Sequence, residues 1–250
     1  MNLLRLAAVA ALLAPALARA DFHTRSPNEI DWHEFEIEHN GSTTFDRHDD
    51  KADQRSYTAE FGVGVTDWWH PELELGIERD GGPDQPTRIT EGVFENTIRL
   101  TESGEGWVDV GFYAEYAFGL RHGSADSVEF GPLFQKDIGR TTHTLNLLLT
   151  KGVGSVQDDH GFDFSYAWQS RWNIWRLLSP AIEVYGDAGA IDHVDPFKQQ
   201  QLIVGPVAVG TLFLGNSLGK FKYEAGYLFG ATNASPSGTL RWKAEIEVPF

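Results

Sequence analysis

The closing stretch Leu240-Arg241-Trp242-Lys243-Ala244-Glu245-Ile246-Glu247-Val248-Pro249-Phe250 alternates apolar with charged residues until Pro249. In an extended chain successive side chains point to opposite faces. Leu240, Trp242, Ala244, Ile246, Val248 and Phe250 therefore share one face, and Arg241, Lys243, Glu245 and Glu247 share the other. One face suited to lipid and one suited to water is what a strand needs when it walls a wet lumen inside a membrane.

The same alternation recurs throughout the chain. Phe221, Tyr223, Ala225, Tyr227 and Phe229 oppose Lys222, Glu224 and Gly226. Leu73, Leu75 and Ile77 oppose Glu72, Glu74, Gly76 and Glu78, and Val108, Val110, Phe112, Ala114, Tyr116 and Phe118 oppose Asp109, Gly111, Tyr113, Glu115 and Ala117. Helical spacing is sustained nowhere past Asp21. Segments of this kind number about twelve, within a range of about ten to fourteen. They begin near Trp32, Tyr57, Leu73, Ile89, Trp107, Val128, His143, Phe162, Ala181, Gln200, Phe221 and Leu240. The expected fold is all-β: a transmembrane, antiparallel up-and-down barrel over residues 21–250.

Two strands fit the pattern poorly. In the fourth, Asn96 points outward, and in the tenth the run Leu202 to Leu212 is apolar on both faces. An even strand count puts both termini on the periplasmic side, with short turns there and longer loops outside. The connections around Asp67–Pro71, Glu102–Gly106, Gly139–Thr142, Leu177–Pro180 and Gly215–Gly219 are short and fall on the expected inner side. Those around Asp46–Gln54, Arg79–Pro86, Arg121–Asp126, Ser155–His160, Asp192–Lys198 and Thr232–Ser237 are richer in Asp, His, Pro and Gly and fall outside.

The first residues read as an export signal. Met1 to Arg5 is positive, Leu6 to Leu17 is apolar, and Ala18-Arg19-Ala20 has the small-x-small form of a cleavage site, so cleavage is expected after Ala20. An apolar run of about 12 residues is short for a spanning helix, which needs about 20. Losing Arg5 and Arg19, with no Asp or Glu before Asp21, takes the formal charge from −16 to −18. Such a chain repels nucleic acid. With no cysteine, it has no disulfide framework, thiolate metal site or thiol nucleophile. A soluble β-sandwich also alternates, but it leaves unexplained why Trp68, Trp69, Trp107, Trp168, Trp172, Trp175 and Tyr227 recur near strand ends, as an interfacial girdle would.

The terminal Phe250, preceded by alternating apolar positions, resembles the signal by which bacterial outer-membrane β-barrels are handed to the barrel assembly machinery. That resemblance implies contact with the machinery during biogenesis, and with outer-membrane lipids and lipopolysaccharide afterwards. Lys222-Tyr223-Glu224-Ala225-Gly226-Tyr227-Leu228-Phe229-Gly230 with Thr239-Leu240-Arg241-Trp242-Lys243 is similar to the end of barrels grouped with phenol-degradation meta-pathway outer-membrane transport proteins. That similarity implies a channel role.

No enzyme constellation is expected. The nearest Ser–His pair, His122 and Ser124, sits in an outer loop without an orienting carboxylate. Asp46, His48, Asp49 and Asp50, then Asp158, Asp159 and His160, then Asp192, His193 and Asp195 make an acidic rim whose spacing matches no dedicated calcium or zinc pattern, and no cofactor is expected. The lumen is more informative. Glu34, Glu36, Glu38, Glu60, Glu72, Glu74 and Glu78 are expected on one wall, with Arg241 and Lys243 brought beside Glu34, Glu36 and Glu38 by closure, and Lys222, Arg171 and Arg99 adding positive groups. Two readings follow: a narrow channel for small polar or cationic solutes, or a non-conducting structural or surface-interaction barrel whose lumen is filled by ion pairs. Residues Asp21 to Ile30 precede the first strand and can tuck into the lumen. A lipid hydrolase is the least favoured reading, and neither solute nor oligomeric state follows from the sequence.

Overall fold

The computed structural model describes residues 22–48, 50–154 and 161–250. The described chain forms twelve strands: β1 (Glu34–Phe45), β2 (Arg55–Val63), β3 (Trp69–Arg79), β4 (Arg88–Arg99), β5 (Asp109–Gly119), β6 (Asp126–Ile138), β7 (Thr141–Val153), β8 (Asp163–Trp172), β9 (Ser179–Ala190), β10 (Gln201–Gly215), β11 (Gly219–Gly230) and β12 (Gly238–Pro249). Each pairs with its sequence neighbours, and β1 pairs antiparallel with β12 to close the barrel. Closure leaves no open edge, so the backbone amides and carbonyls find partners within the wall. Every expected strand is present, each within a few residues of its expected start.

The start of β1 and the C-terminal Phe250 lie at one end of the barrel, with Phe250 donating its backbone N–H to the carbonyl of His33 at 2.9 Å. Connections at that end include the very short 139–140 and 216–218, although 100–108 there is as long as 46–54 at the opposite end, where 191–200 is longer still. Tryptophan marks the terminus-bearing end: Trp32, Trp68, Trp107, Trp172 and Trp175 are exposed there. At the loop end the outer rings are Tyr and Phe instead, as in the Phe45–Tyr227 and Tyr227–Phe229 contacts.

The outer face is apolar and open, with Ile37, Leu73 and Phe229 more than half exposed. The two strands with irregular alternation have local explanations. Asn96 does face outward, where Trp69 donates its indole N–H to the Asn96 side-chain oxygen at 3.0 Å. The inward residues of β10, Ile203, Val207 and Val209, join Ala181, Tyr185 and Leu228 in an apolar patch inside the lumen, and Phe22 packs on it.

Candidate functional site

The lumen is the site, and its floor plan follows from strand register. Glu38 lies opposite Glu245 on β12 and opposite Glu60 on β2. Glu60 lies opposite Glu74. One row nearer the terminus-bearing end, Glu72 faces Glu95, Glu95 faces Glu115, and Glu115 faces Glu129. Carboxylates set directly opposite one another repel, yet they run from β12 to β6. The acidic wall expected on β1 to β3 is therefore half of a belt. Glu115 was expected on the water-facing side of its strand but not as part of a wall, and Glu95, Glu129 and Glu183 were not among the expected lumen groups, because which residues align across neighbouring strands depends on register.

The expected basic residues are present on the lumen face but are distributed differently. Lys243 reaches Glu38 and, at 3.1 Å, Glu245. Lys222 pairs with Glu245 at 2.9 Å and with Glu247, and Lys220 holds Glu247 at 2.6 Å and Glu34 at 3.2 Å. Arg241 was expected beside the β1 glutamates. It lies opposite Ser42 instead and extends into the lumen to Glu183 of β9 and Glu224 of β11. Gln169 and Tyr185 also donate to Glu183, at 2.7 and 2.9 Å. Arg171 bonds Asn173 at 3.0 Å, away from the acidic belt, and Glu78 sits toward the loop end of β3, opposite Ser56 and Arg88.

The segment Phe22 to Ile30 enters the lumen and bonds to its walls. Phe22 meets Tyr185 edge-on at 5.5 Å. Lys243 donates to His23 Nε2 at 3.1 Å. The Arg25 guanidinium reaches Glu95 at 3.2 Å and lies over the Tyr113 ring, while its backbone exchanges two hydrogen bonds with the Asn146 amide at 2.8 and 2.7 Å. Ser26 donates to Gln135 at 2.5 Å, Asn28 donates to Asp109 at 2.7 Å, and Arg99 donates to the carbonyls of Pro27, Asn28 and Ile30. This strap touches walls on several sides of the barrel. One cavity beside it offers about 30 Å³, room for a water or two.

Charge in the lumen is unbalanced. Among the described residues the buried cations are Arg25, Arg241 and Lys243, against ten buried carboxylates. Burying charge is costly unless it is paired, so the excess bears on what else occupies the lumen.

Outside it, the acidic rim is held by hydrogen bonds within and between loops. Asp46 accepts from His48 N and Nδ1, and from Ser237 N and Oγ across the closing seam. These bonds hold its carboxyl well below the usual carboxylate range, the His48 backbone contact first. Asp192 and His193 lie 3.8 Å apart and exposed. Asp49, Asp158, Asp159 and His160 lie outside the described residues. Among the described residues, every set of three or more acidic or histidine side chains close enough to share a cation lies inside the lumen or at its terminus-bearing mouth, none on the outer rim. The structure also brings together a serine and histidine that are distant in sequence: Ser170 Oγ lies 3.0 Å from His143 Nδ1, and Thr141 lies 2.9 Å from Nε2. Ser170 is buried and, among the described residues, no carboxylate is hydrogen-bonded to the ring, so this chain of bonds satisfies polar groups on an apolar face.

No family model matches the chain, and no curated protein does; the resemblance to phenol-degradation transport barrels thus gains no support. Among solved structures, it is similar to the translocator domain of autotransporter NalP from Neisseria meningitidis, at 13% identity and TM-score 0.44 over 88% of this chain and 90% of that one. It is also similar to a bacterial polysaccharide outer membrane secretin, at 10% identity and TM-score 0.39 over 88% and 100%. The transport unit of autotransporter AIDA-I from Escherichia coli matches at 10% identity and TM-score 0.37 over 92% and 94%.

Proposed function

We propose that the protein is a bacterial outer-membrane barrel closed at rest by its own N-terminal strap, and that small cationic or polar solutes pass only when the strap leaves. An exposed apolar band encircling the molecule is an aggregation surface in water and a fitting one in lipid. The observation that carries the closed state is the strap itself: Phe22 to Ile30 threads the lumen and bonds to β5, β6, β7 and β9. Its contacts beyond Phe22 are mainly polar, so water can replace them. Withdrawing Arg25 would leave an acid-lined passage biased toward cations.

Planar-bilayer recording tests this reading. The mature chain should be silent or open only briefly, and a variant lacking residues 22–29 should conduct steadily with cation preference. Silence from a folded strap-deleted barrel would reject it.

A second reading is favoured by one observation. Arg241 on β12 pairs with Glu183 on β9, a chord across the lumen that does not depend on the strap. If that brace alone blocks passage, the protein is a structural barrel that presents its loops at the surface.

A further inference from the structure

Three lumen positions share one cross-strand row: Glu36 on β1 lies opposite Gly62 on β2, which lies opposite Glu72 on β3. The glycine leaves a notch between two carboxylates. His70, two residues before Glu72 and on the same face, swings its ring into that notch. A Cβ on Gly62 would stand 2.3 Å from His70 Nε2 and 3.0 Å from Glu72 Cγ. The His70 side chain is more than nine-tenths buried, and its Nε2 has no hydrogen-bond partner. Glu36 Oε2 is 3.9 Å away, beyond hydrogen-bond reach. One ligand atom from each of Glu36, His70 and Glu72 lies within 4.8 Å of the other two.

A buried imidazole nitrogen aimed between two carboxylates is costly without an occupant. Neighbouring cations do not fill the role. Lys243 is held by Glu38 and Glu245, and Arg25 by Glu95. Among the described residues no lysine or arginine lies within salt-bridge distance of Glu36 or Glu72. One nitrogen and two carboxylate oxygens are donors that first-row divalent ions accept, and imidazole disfavours Ca²⁺ and Mg²⁺, which take oxygen ligands. Bond lengths of about 2.0–2.2 Å require the donors to draw in by less than a side-chain rotation allows.

We propose that Glu36, His70 and Glu72 bind a divalent transition-metal ion of the zinc class at the terminus-bearing end of the lumen. The ion offsets part of the carboxylate excess. It also sits beside the strap, whose His23, Arg25, Ser26 and Glu29 line the same small cavity as Glu36, His70 and Glu72. The site stands whether or not the barrel conducts.

The test is zinc titration of the folded mature chain in detergent micelles, with bound metal counted after gel filtration and with Co²⁺ absorption reporting ligand type. One zinc per barrel is expected, retained in excess Ca²⁺. His70→Ala, Glu72→Gln and Gly62→Ala should each weaken binding roughly tenfold or more, Gly62→Ala without removing any ligand. A His48→Ala/His193→Ala double variant should bind as the wild type does. If His70→Ala fails to fold, as judged by mobility of unheated samples in gels, His70→Gln takes its place. Failure of the wild-type barrel to bind zinc would overturn the proposal. So would binding that survives the His70 and Gly62 changes, or that disappears with His48 and His193.

Discussion

Arg241 is the side chain on which the lumen's electrostatics turn. It is 1% exposed and joins Glu183 to Glu224 from a third strand. Removing one partner of a buried ionic group leaves the others uncompensated. Arg241→Ala is expected to cost about 3–5 kcal/mol, read as a lower denaturant midpoint for unfolding of the refolded barrel; a loss below 1 kcal/mol would show that water already serves both glutamates. Asp46 behaves differently because it lies in a loop. Its carboxyl is held low by His48 and Ser237, so its folded-state value lies below the unfolded value of about 3.9. A depressed carboxylate contributes stability above the unfolded value and loses it as pH falls toward the folded one. Asp46→Asn should therefore cost about 1 kcal/mol at neutral pH, after discounting for solvent screening. The gap from wild type should shrink as pH drops below about 4. An undiminished gap in acid would mean that the loop-to-loop bonds, not the charge, carry the effect.

At the scale of strands, the seam between β1 and β12 decides whether the barrel closes. Gly41 lies opposite Trp242 there, and a Cβ at Gly41 would come within 2.3 Å of the Trp242 ring. The indole thus lies across the glycine and covers its backbone. Gly41→Val should displace Trp242 and cost about 1–3 kcal/mol, seen as earlier thermal loss of the folded form in gel-shift assays; an unchanged transition would show that the ring has a second place to rest. Strand identity and facing were legible in the sequence because period two reports directly which side chains share a face, and the last strand did so over Leu240 to Phe250. Register was not. Glu115 read as one inward acid and Glu95 and Glu129 were not singled out, and only pairing across β4, β5 and β6 shows the three as a belt. The same limit hid Arg241's partners, since Glu183 is three strands away. Apolar β10 was misleading for a related reason: its inward valines face a patch that Phe22 covers, and Phe22 belongs to a segment without periodicity. His70 was legible only as one of nine histidines until Gly62 was placed beside it.

For the whole molecule, the strap and the acid belt together set what passage would look like. The belt runs through half the circumference, and its strap-borne counter-charge is Arg25, bonded to Glu95. Deleting the strap removes that cation while leaving Lys243 and Lys222 at the β12 seam. The field in the emptied lumen is then negative on the β1 to β6 side, and a narrow low-dielectric passage concentrates it. Cation preference in the strap-deleted barrel should depend on Glu36, Glu72 and Glu74, and replacing all three with Gln should cut the cation-to-anion permeability ratio several-fold. Raising salt should blunt the preference as well, because the screening length falls from about 10 Å at 0.1 M to about 3 Å at 1 M. Reversal potentials under a salt gradient measure both effects. Should the triple variant keep its full cation preference, selectivity would have to arise elsewhere, with the loop-end acids at Asp46 and Asp192 the next groups to neutralise.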